Sequence, residues 1–315
     1  MTIDGILNID KPLGPTSFQV VAKVKRLTGL RRVGHGGALD PLATGVLPVC
    51  LGQGTRVAEF LMLASKTYRA QIELGITTDT YDAAGKVLQR INPSEVSHQR
   101  LEQVLAQFRG WLEQTPPMYS ALRHQGQRLY KLARAGLEVA RRPRRVHLSR
   151  LELVDCQLPL FTIEVDCSKG TYIRSLAHDL GQALGCGAYL KNLVRLRCGT
   201  FDLRDATSLA SFEKLVCQGE WLPLVHPMDT VLSPLKAVVV GQAEQQDIEQ
   251  GRLLALETNA DEEICRAYSQ DGRFLALLRV QKESGLWHPY KVFARPAERV
   301  NLTKQAKFDN KPLDF

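Results

Sequence analysis

The chain has 315 residues, a hydrophobic content of 44% and a formal net charge of +8, from 41 Lys and Arg against 33 Asp and Glu. That apolar content excludes wholesale disorder, the length suggests two domains of ~150 residues each, and the charge favours a polyanionic partner. The seven cysteines form no Cys-x-x-Cys pair, which argues against a zinc site and a disulfide framework and fits a reducing cytoplasm; no apolar run approaches the ~18 residues of a membrane span.

Met1 to Gly5 lacks a basic start followed by an apolar stretch, so no signal peptide is expected. Gly5 to Asp10 reads as a short strand, stopped by Lys11-Pro12-Leu13-Gly14-Pro15. Thr16 with Gln19 three residues on makes a capping-box pattern, Val20, Val21, Val24 and Leu27 share one helical face, and Gly29 can end the helix. The stretch from Gly34 through His35, Gly36 and Gly37 to Asp40-Pro41 and Gly45 then sets Asp40 among glycines with no second acid beside it. Pro41 disfavours the helical region for the residue before it, so Asp40 should sit on extended or turn backbone. Glycines carry no Cβ, so a ligand could approach closely. A lone, presented carboxylate suits a nucleophile or general base better than a metal site, which wants several ligands; the competing reading is a Gly-rich turn capped by its Asp. His35 reads either as a ring that touches a ligand or as a hydrogen-bonded structural histidine. Val46 to Leu51 looks like a buried strand, and Thr55 like the cap of a helix whose apolar face is Val57, Phe60, Leu61 and Ala64. Gly52-Gln53-Gly54-Thr55 lacks the Gly-Lys-Ser/Thr ending of a nucleotide-binding loop.

Tyr68, Ala70, Ile72 and Leu74 alternate with polar residues, the period of a half-buried strand. Tyr68 reads as a core tyrosine or as a ring that stacks on a planar substrate with its phenol placed for proton transfer. The most basic region runs from Arg123 to Arg150, with only Glu138 opposing, and Tyr119 and Tyr130 are interleaved. Its arginines can neutralise phosphates and its aromatics can stack on bases; a solvated charged face is the alternative. Pro143 predicts a loop for Arg141, Arg142, Arg144 and Arg145. Phe161, Ile163, Val165 and Cys167 alternate again, and Ser168-Lys169-Gly170 turns the chain into a helix with Ile173, Leu176, Ala177, Leu180 and Leu184 on one face. Arg174 falls in the first turn of that helix, where the dipole disfavours a cation. It therefore calls for an anionic partner, either any nearby acid or Asp40, whose ionised form a guanidinium fork would favour. His226-Pro227-Met228-Asp229 through Ser233-Pro234 has linker composition. Beyond it, Val238 to Val240, Ile264 to Ala267, Phe274 to Val280 and Tyr290 to Ala294 predict a small β-rich domain, and the polar end from Pro296 is expected to be poorly ordered. Strands and helices are mixed without regular βα alternation, which predicts an α+β fold with a mixed, mostly antiparallel sheet.

Taken together, the motifs resemble the TruB family, the tRNA pseudouridine(55) synthases. The resemblance is carried by Asn8-Ile9-Asp10-Lys11-Pro12 with Thr16-Ser17, Gly34-His35 through Gly45 with Leu47-Pro48, and Lys66-Thr67-Tyr68. It continues in Gly75, Thr78-Asp79-Thr80, Asp82 and Gly85, in Pro117-Met118-Tyr119-Ser120-Ala121-Leu122, in Ser168-Lys169-Gly170-Thr171-Tyr172-Ile173-Arg174, and in Leu196-Arg197. The order and spacing of these stretches run nearly the whole chain. One departure is visible: Gly36 stands where many members have Thr, so a hydroxyl contact is expected to be missing with little effect on chemistry.

The resemblance implies a pseudouridine-synthase catalytic domain over residues 1–234 with a thumb at about 117–146, a PUA-like RNA-binding domain at 235–295 and a polar tail at 296–315. It implies that Asp40 is the nucleophile, Tyr68 the stacking tyrosine, Arg174 the arginine partner and His35 the histidine that enters the RNA loop, and that Tyr172 and Leu196 line the pocket. The reaction breaks the bond from C1′ to N1 of uracil, turns the flipped-out base and joins C5 to C1′. It needs no cofactor or ATP. Asp40 attacks C6 of the ring or C1′ of the sugar, or removes a sugar proton to give a glycal, and these routes stay open. Tyr68 is by position the acceptor of the C5 proton, with help from Arg174 or a shared proton because its ordinary pKa is near 10. The expected partner is the T stem-loop of tRNA, met in the cytoplasm by a monomer without a membrane or nucleotide cofactor. A tRNA-folding role could accompany turnover, and a tRNA-binding folding factor without turnover is the rival reading.

Overall fold

The computed structural model describes residues 3–256 and 263–293; Ala294 and the tail from Pro296 lie outside the described residues. The chain divides into two compact units, Ile3–Ser233 and a second beginning at Pro234.

In the first unit, β1 (Gly5–Lys11) is buried along nearly its whole length. The proline and glycine stop behind it leads into α1 (Ser17–Thr28), where the reciprocal cap forms as the sequence predicts. Gln19 N donates to the Thr16 hydroxyl at 3.2 Å and Thr16 N donates to Gln19 Oε1 at 2.7 Å. Gly29 ends the helix in the left-handed region, φ 67°. β2 (Val33–His35) and β3 (Ala43–Leu51) bracket the glycine-rich motif. The helix expected from Thr55 starts later. Gly52–Val57 is a 3-10 segment in which the Thr55 hydroxyl donates to Gly52 O, and α2 is Ala58–Leu63 without a side-chain cap.

β4 (Lys66–Leu74) follows, then the hairpin β5 (Ile76–Thr78) and β6 (Val87–Arg90), α3 (His98–Gln107) and β7 (Gly110–Gln114). A small ribbon, β8 (Arg123–His124) and β9 (Gln127–Arg128), precedes α4 (Leu129–Arg134). Next come β10 (Arg144–Gln157), β11 (Leu160–Cys167), α5 (Ile173–Ala183) and β12 (Ala188–Cys198). The unit ends with β13 (Phe201–Asp202), β14 (Thr207–Ser208), α6 (Leu209–Gln218) and β15 (Val225–His226). The loop predicted for Arg141 to Arg145 is shorter than expected, because Arg144 and Arg145 already pair with Gln114 and Glu113 of β7. The linker composition at His226 also misleads: His226 pairs with Ile6, and Leu232, inside the 3-10 segment Met228–Leu232, is fully buried.

These strands build one sheet in the order β14-β1-β3-β12-β4-β11-β10-β7, with β2 on β3, β13 on β12 and β15 on β1. β1–β14 and β3–β12 are parallel and the other pairs antiparallel, the mixed α+β architecture predicted. The alternation of β4 and β11 puts Ala70, Ile72, Phe161, Ile163 and Val165 into one core with Leu176, Ala177 and Leu180 of α5. Each such side chain contributes roughly 1.5–3 kcal/mol by leaving water. This packing fixes α5 against the sheet and with it the position of Arg174.

The second unit is a four-stranded sheet of β16 (Lys236–Val240), β17 (Ile264–Ser269), β18 (Phe274–Val280) and β19 (Trp287–Val292), in that order. It also holds a helix absent from the sequence reading, α7 (Gln242–Gln250). Ile248 is the buried residue of that polar helix and joins a core with Val240, Cys265, Leu278 and Trp287. Two apolar residues in nine, Ala243 and Ile248, give no periodicity to read.

Candidate active site

The motif between β2 and β3 is held from below. Leu39, 6% exposed, sits in the core, and the Ser17 hydroxyl accepts from Leu39 N at 2.8 Å and donates to Leu39 O at 3.1 Å. Gly14 N donates to Pro41 O, and Ala43 N donates to Asp40 O at 3.0 Å. Asp40 is therefore on turn backbone between two anchored neighbours, as Pro41 predicts. Among the glycines, Gly37 leaves open space, with only Arg195 Nη1 within 4 Å of a Cβ built there, whereas Gly45 and Gly36 do not. A Cβ on Gly45, at φ 95°, would lie 2.3 Å from Arg195 O of β12, and a Cβ on Gly36 would lie 2.4 Å from Leu61 Cδ1. They let the loop pack against its own protein, and Gly36 in particular makes room for α2.

Arg174 meets the sharper of its two expectations. Its side chain is 6% exposed and its Nε lies 2.9 Å from Asp40 Oδ2. Nη2 donates to Tyr119 O at 2.8 Å and Nη1 to Thr80 O at 3.4 Å, so the guanidinium is held on three sides. The expectation of a solitary acid needs correcting. Asp82 Oδ2 is 3.7 Å from the same Nε, and its other oxygen accepts from the Thr80 hydroxyl at 2.5 Å and from Ala84 N at 3.1 Å. Tyr81 between them takes a positive φ of 63° and stacks on His178 of α5 at 4.0 Å, so the turn that brings Asp82 in is strained and clamped. Burial pushes the Asp40 carboxyl up from the usual carboxylate range, Arg174 opposes this, and the Asp82 charge adds to it. The Asp40 side chain is still 45% exposed. It is open to a reactant while held by Arg174.

A cavity of about 170 Å³ is lined by Gly37, Ala38, Tyr68, Cys167, Ser168 and Arg195 among others; Asp40 and Arg174 are not in its lining, and the motif backbone runs from Ala38 in its wall to Asp40 two residues on. Tyr68 is 9% exposed, and burial pushes its phenol up to about 12. Arg195, which sequence reasoning missed, stands opposite it in the β4–β12 register, and its charge opposes the shift. Arg195 is 1% exposed and donates to Val46 O at 2.6 Å, Gly37 O at 3.0 Å and Ala38 O at 3.4 Å. One arginine thus ties β3 to the motif loop beside Tyr68. Lys66 also lines the cavity and caps the end of α2 through Leu61 O, Met62 O and Ala64 O at 2.7–2.9 Å. Burial pushes the Cys167 thiol up to about 12, so it remains a neutral wall.

The other predicted residues surround this centre. His35 ends β2; its Nδ1 accepts from Gly37 N at 3.3 Å, and burial, then the Arg195 charge, lower its pKa, so it is a neutral ring tied to the loop. Tyr172 precedes α5, and the Gln114 side chain brackets its backbone, accepting from Tyr172 N at 2.7 Å and donating to Tyr172 O at 3.0 Å. Tyr172 feels the charges of Arg174 and Asp40. Leu196 is the extra residue of a bulge: Arg195 pairs with Tyr68 and Arg197 with Thr67. Neither Leu196 nor Tyr172 is in the lining of the cavity. Of the arginine run, Arg141 is turned inward, bonded to Pro116 O at 3.1 Å and Glu138 at 3.1 Å, with its side chain 15% exposed. Arg142 and Arg144 are exposed, and Arg145 lies 4.4 Å from the centre of the Trp111 ring. Among the described residues no cluster of three His, Cys, Asp or Glu is arranged to hold a metal.

The same fold occurs in solved structures of other proteins. A structure titled as a Cbf5-Nop10-Gar1 complex matches at 27% identity and TM-score 0.70, covering 92% of this chain and 84% of that one. One titled as an H/ACA RNP bound to a substrate RNA containing 2′-deoxyuridine matches at 26% and 0.70, covering 92% and 85%. The fold is that of a pseudouridine synthase. The model of the TruB family pseudouridylate synthase N-terminal domain matches residues 25–173, and that of the tRNA pseudouridylate synthase B C-terminal domain matches residues 174–239. A protein named tRNA pseudouridine synthase B from Dehalococcoides mccartyi (strain BAV1) is 44% identical over 94% of this chain and 99% of its own. One of the same name from Chromohalobacter salexigens is 42% identical over 88% and 91%. The chain belongs to the TruB family of pseudouridylate synthases.

Proposed function

We propose that this protein converts the uridine at position 55, in the T loop of tRNA, to pseudouridine, with Asp40 as the group that opens the glycosidic bond. The observation that carries the reading is the 2.9 Å pair of Arg174 with Asp40, two residues along the motif from Ala38, which lines the cavity that holds Tyr68. The pair is formed by folding, so the carboxylate is oriented before any RNA arrives. A flipped uracil entering the cavity stacks on Tyr68, with unstacking offset by contacts to phosphates and to the ring. Asp40 then engages C6, C1′ or a sugar proton, N1 leaves C1′, and C5 takes its place. The proton lost from C5 is balanced by one gained at N1, so nothing is oxidised and no cofactor is consumed.

The phenol of Tyr68 acts in this scheme as a donor. The phenol lines the cavity and keeps its proton at neutral pH, so it can donate to the bound base. At about 12 its pKa is also far above that of a useful base at pH 7. Asp40, with its pKa raised, is the better match for the C5 proton. His35 enters the space the base leaves, and Tyr172 and Leu196 bound the entrance. Arg142, Arg144 and Arg145 meet phosphates of the T stem-loop, while Arg141 holds its own segment in place. The second unit is a PUA-like RNA-binding domain, and the protein works as a monomer in the cytoplasm. A tRNA-folding role accompanies turnover, because these cationic contacts do not require Asp40.

The test is to incubate the pure protein with a tRNA transcript and no added cofactor, then map pseudouridine. Modification at position 55 is expected. Modification elsewhere, or none, overturns the assignment, and an Asp40→Asn protein that still releases the C5 proton removes Asp40 from the chemistry.

A further inference from the structure

The main sheet ends at β7, and this edge strand carries Trp111, 59% exposed. The other two tryptophans, Trp221 and Trp287, are 8% and 2% exposed. Trp111 lies opposite His147 in register, and their rings pack at 4.8 Å with an interplanar angle of 44°. Arg145 projects from the same face two residues along β10, with its guanidinium 4.4 Å from the indole centre. It has no ion pair among the described residues, so its fork remains available to an anion. Exposed Arg142 and Arg144 precede it, and Glu113 is the acid paired across from it.

The row continues inward to the cavity. Ser168 N donates to His147 O at 2.9 Å, His147 N donates to the Ser168 hydroxyl at 2.9 Å, and Ser168 lines the cavity. Ser168, just past the end of β11, thus stands beside His147 of β10, and His147 beside Trp111 of β7. Two strand spacings, about 10 Å, separate the cavity wall from the indole. A nucleic-acid strand with one base in the cavity reaches that distance within a few nucleotides. A large exposed aromatic surface beside unpaired cations has the chemistry of a base-stacking site, in which the ring takes a base and the fork takes a phosphate.

We propose that Trp111, His147 and Arg145 form a stacking platform for an unpaired base of the substrate RNA, separate from the base held in the cavity. The proposal rests on the reading that RNA enters that cavity. Trp111 is the tryptophan most open to solvent, so its emission and its quenching by iodide report on the platform. Titration with a tRNA transcript and with an isolated T stem-loop is expected to quench the emission and shield it from iodide. Trp111→Ala should abolish that response and raise Kd about tenfold, the effect of losing one stacked base. Trp111→Phe, which keeps an aromatic face, should recover most of the affinity. Arg145→Gln should lower the salt slope by about one phosphate contact, whereas Trp111→Ala should leave the slope unchanged. RNA that binds while iodide still reaches Trp111 overturns the platform, as does a Trp111→Ala protein that binds with unaltered Kd. Either result alongside pseudouridine formation leaves the enzymatic reading standing; wild-type protein that forms no pseudouridine removes that reading independently of the fluorescence.

Discussion

Asp40 is placed between opposed influences: its surroundings and Asp82 disfavour the carboxylate, and Arg174 favours it. The reaction needs the ionised form, and the raised pKa brings protonation on at a higher pH than for an ordinary aspartate. The single-turnover rate should therefore decline on acidification before it would for a carboxylate of ordinary pKa; a rate that stays flat down to about pH 4 contradicts the role given to Asp40. Tyr68 makes the opposite prediction. A phenolate base with a pKa of about 12 would make the rate climb tenfold per pH unit between 7 and 10, whereas a donor phenol gives no such climb. Tyr68→Phe should bind RNA normally and lose roughly 10–100-fold in rate, as for loss of one positioned hydrogen bond. At this scale the sequence was readable for Asp40, because Pro41 and the absence of local partners mark it, and for Arg174, because a cation in a first turn needs an anion. Asp82 was visible only as part of a motif. Nothing local links it to Asp40, since the link is made through a third residue far along the chain.

The elements show why Arg195 was hidden. β12 has irregularities in its pairing with β4, between Leu190 and Asn192 and again between Arg195 and Arg197, so a strict two-residue alternation fails along it. By contrast, β4 and β11 keep a single register with each other, and their inward residues could be read directly from the sequence. The Thr16 cap was legible because both of its partners lie within four residues, while the Thr55 cap failed because its hydroxyl bonds backward to Gly52. Gly45 shows how closely the elements are fitted. Gly45→Ala combines a left-handed φ with a Cβ 2.3 Å from the carbonyl of Arg195, which is backbone and cannot swing aside. The φ alone costs about 1–3 kcal/mol. The urea midpoint should fall accordingly, and turnover should fall further than stability because β12 must shift with Arg195. Unchanged turnover in a folded variant would separate β12 from the site.

Across the molecule, the charge of +8 is a weak guide until it is placed. Arg141 is spent on internal contacts, and Arg150 is tied to Glu152, Glu164 and Asp166, so neither is a phosphate contact despite lying in the basic run. The exposed Arg142 and Arg144 are different. Reversing both to Glu should weaken tRNA binding and reduce the salt slope by about two, and an unaltered slope would make them ordinary solvated surface. The α+β class was legible from the alternation, but the polar α7 was not, because its single buried side chain leaves no pattern.

Leu196 works by being present, whatever its side chain contributes. Residues two apart on a regular strand share a side, yet Arg195 turns to Tyr68 and the motif loop while Arg197 reaches Asp166 on the reverse, 3.9 Å away. The inserted position shifts the phase of the strand by one, so that two neighbouring cations of identical chemistry serve different surfaces. Chain length at this point therefore matters more than residue type: an exchange at 196 alters one contact, whereas a deletion would carry Arg197 around to the wrong side, away from Asp166, which would keep only Arg150 as its cation among the described residues.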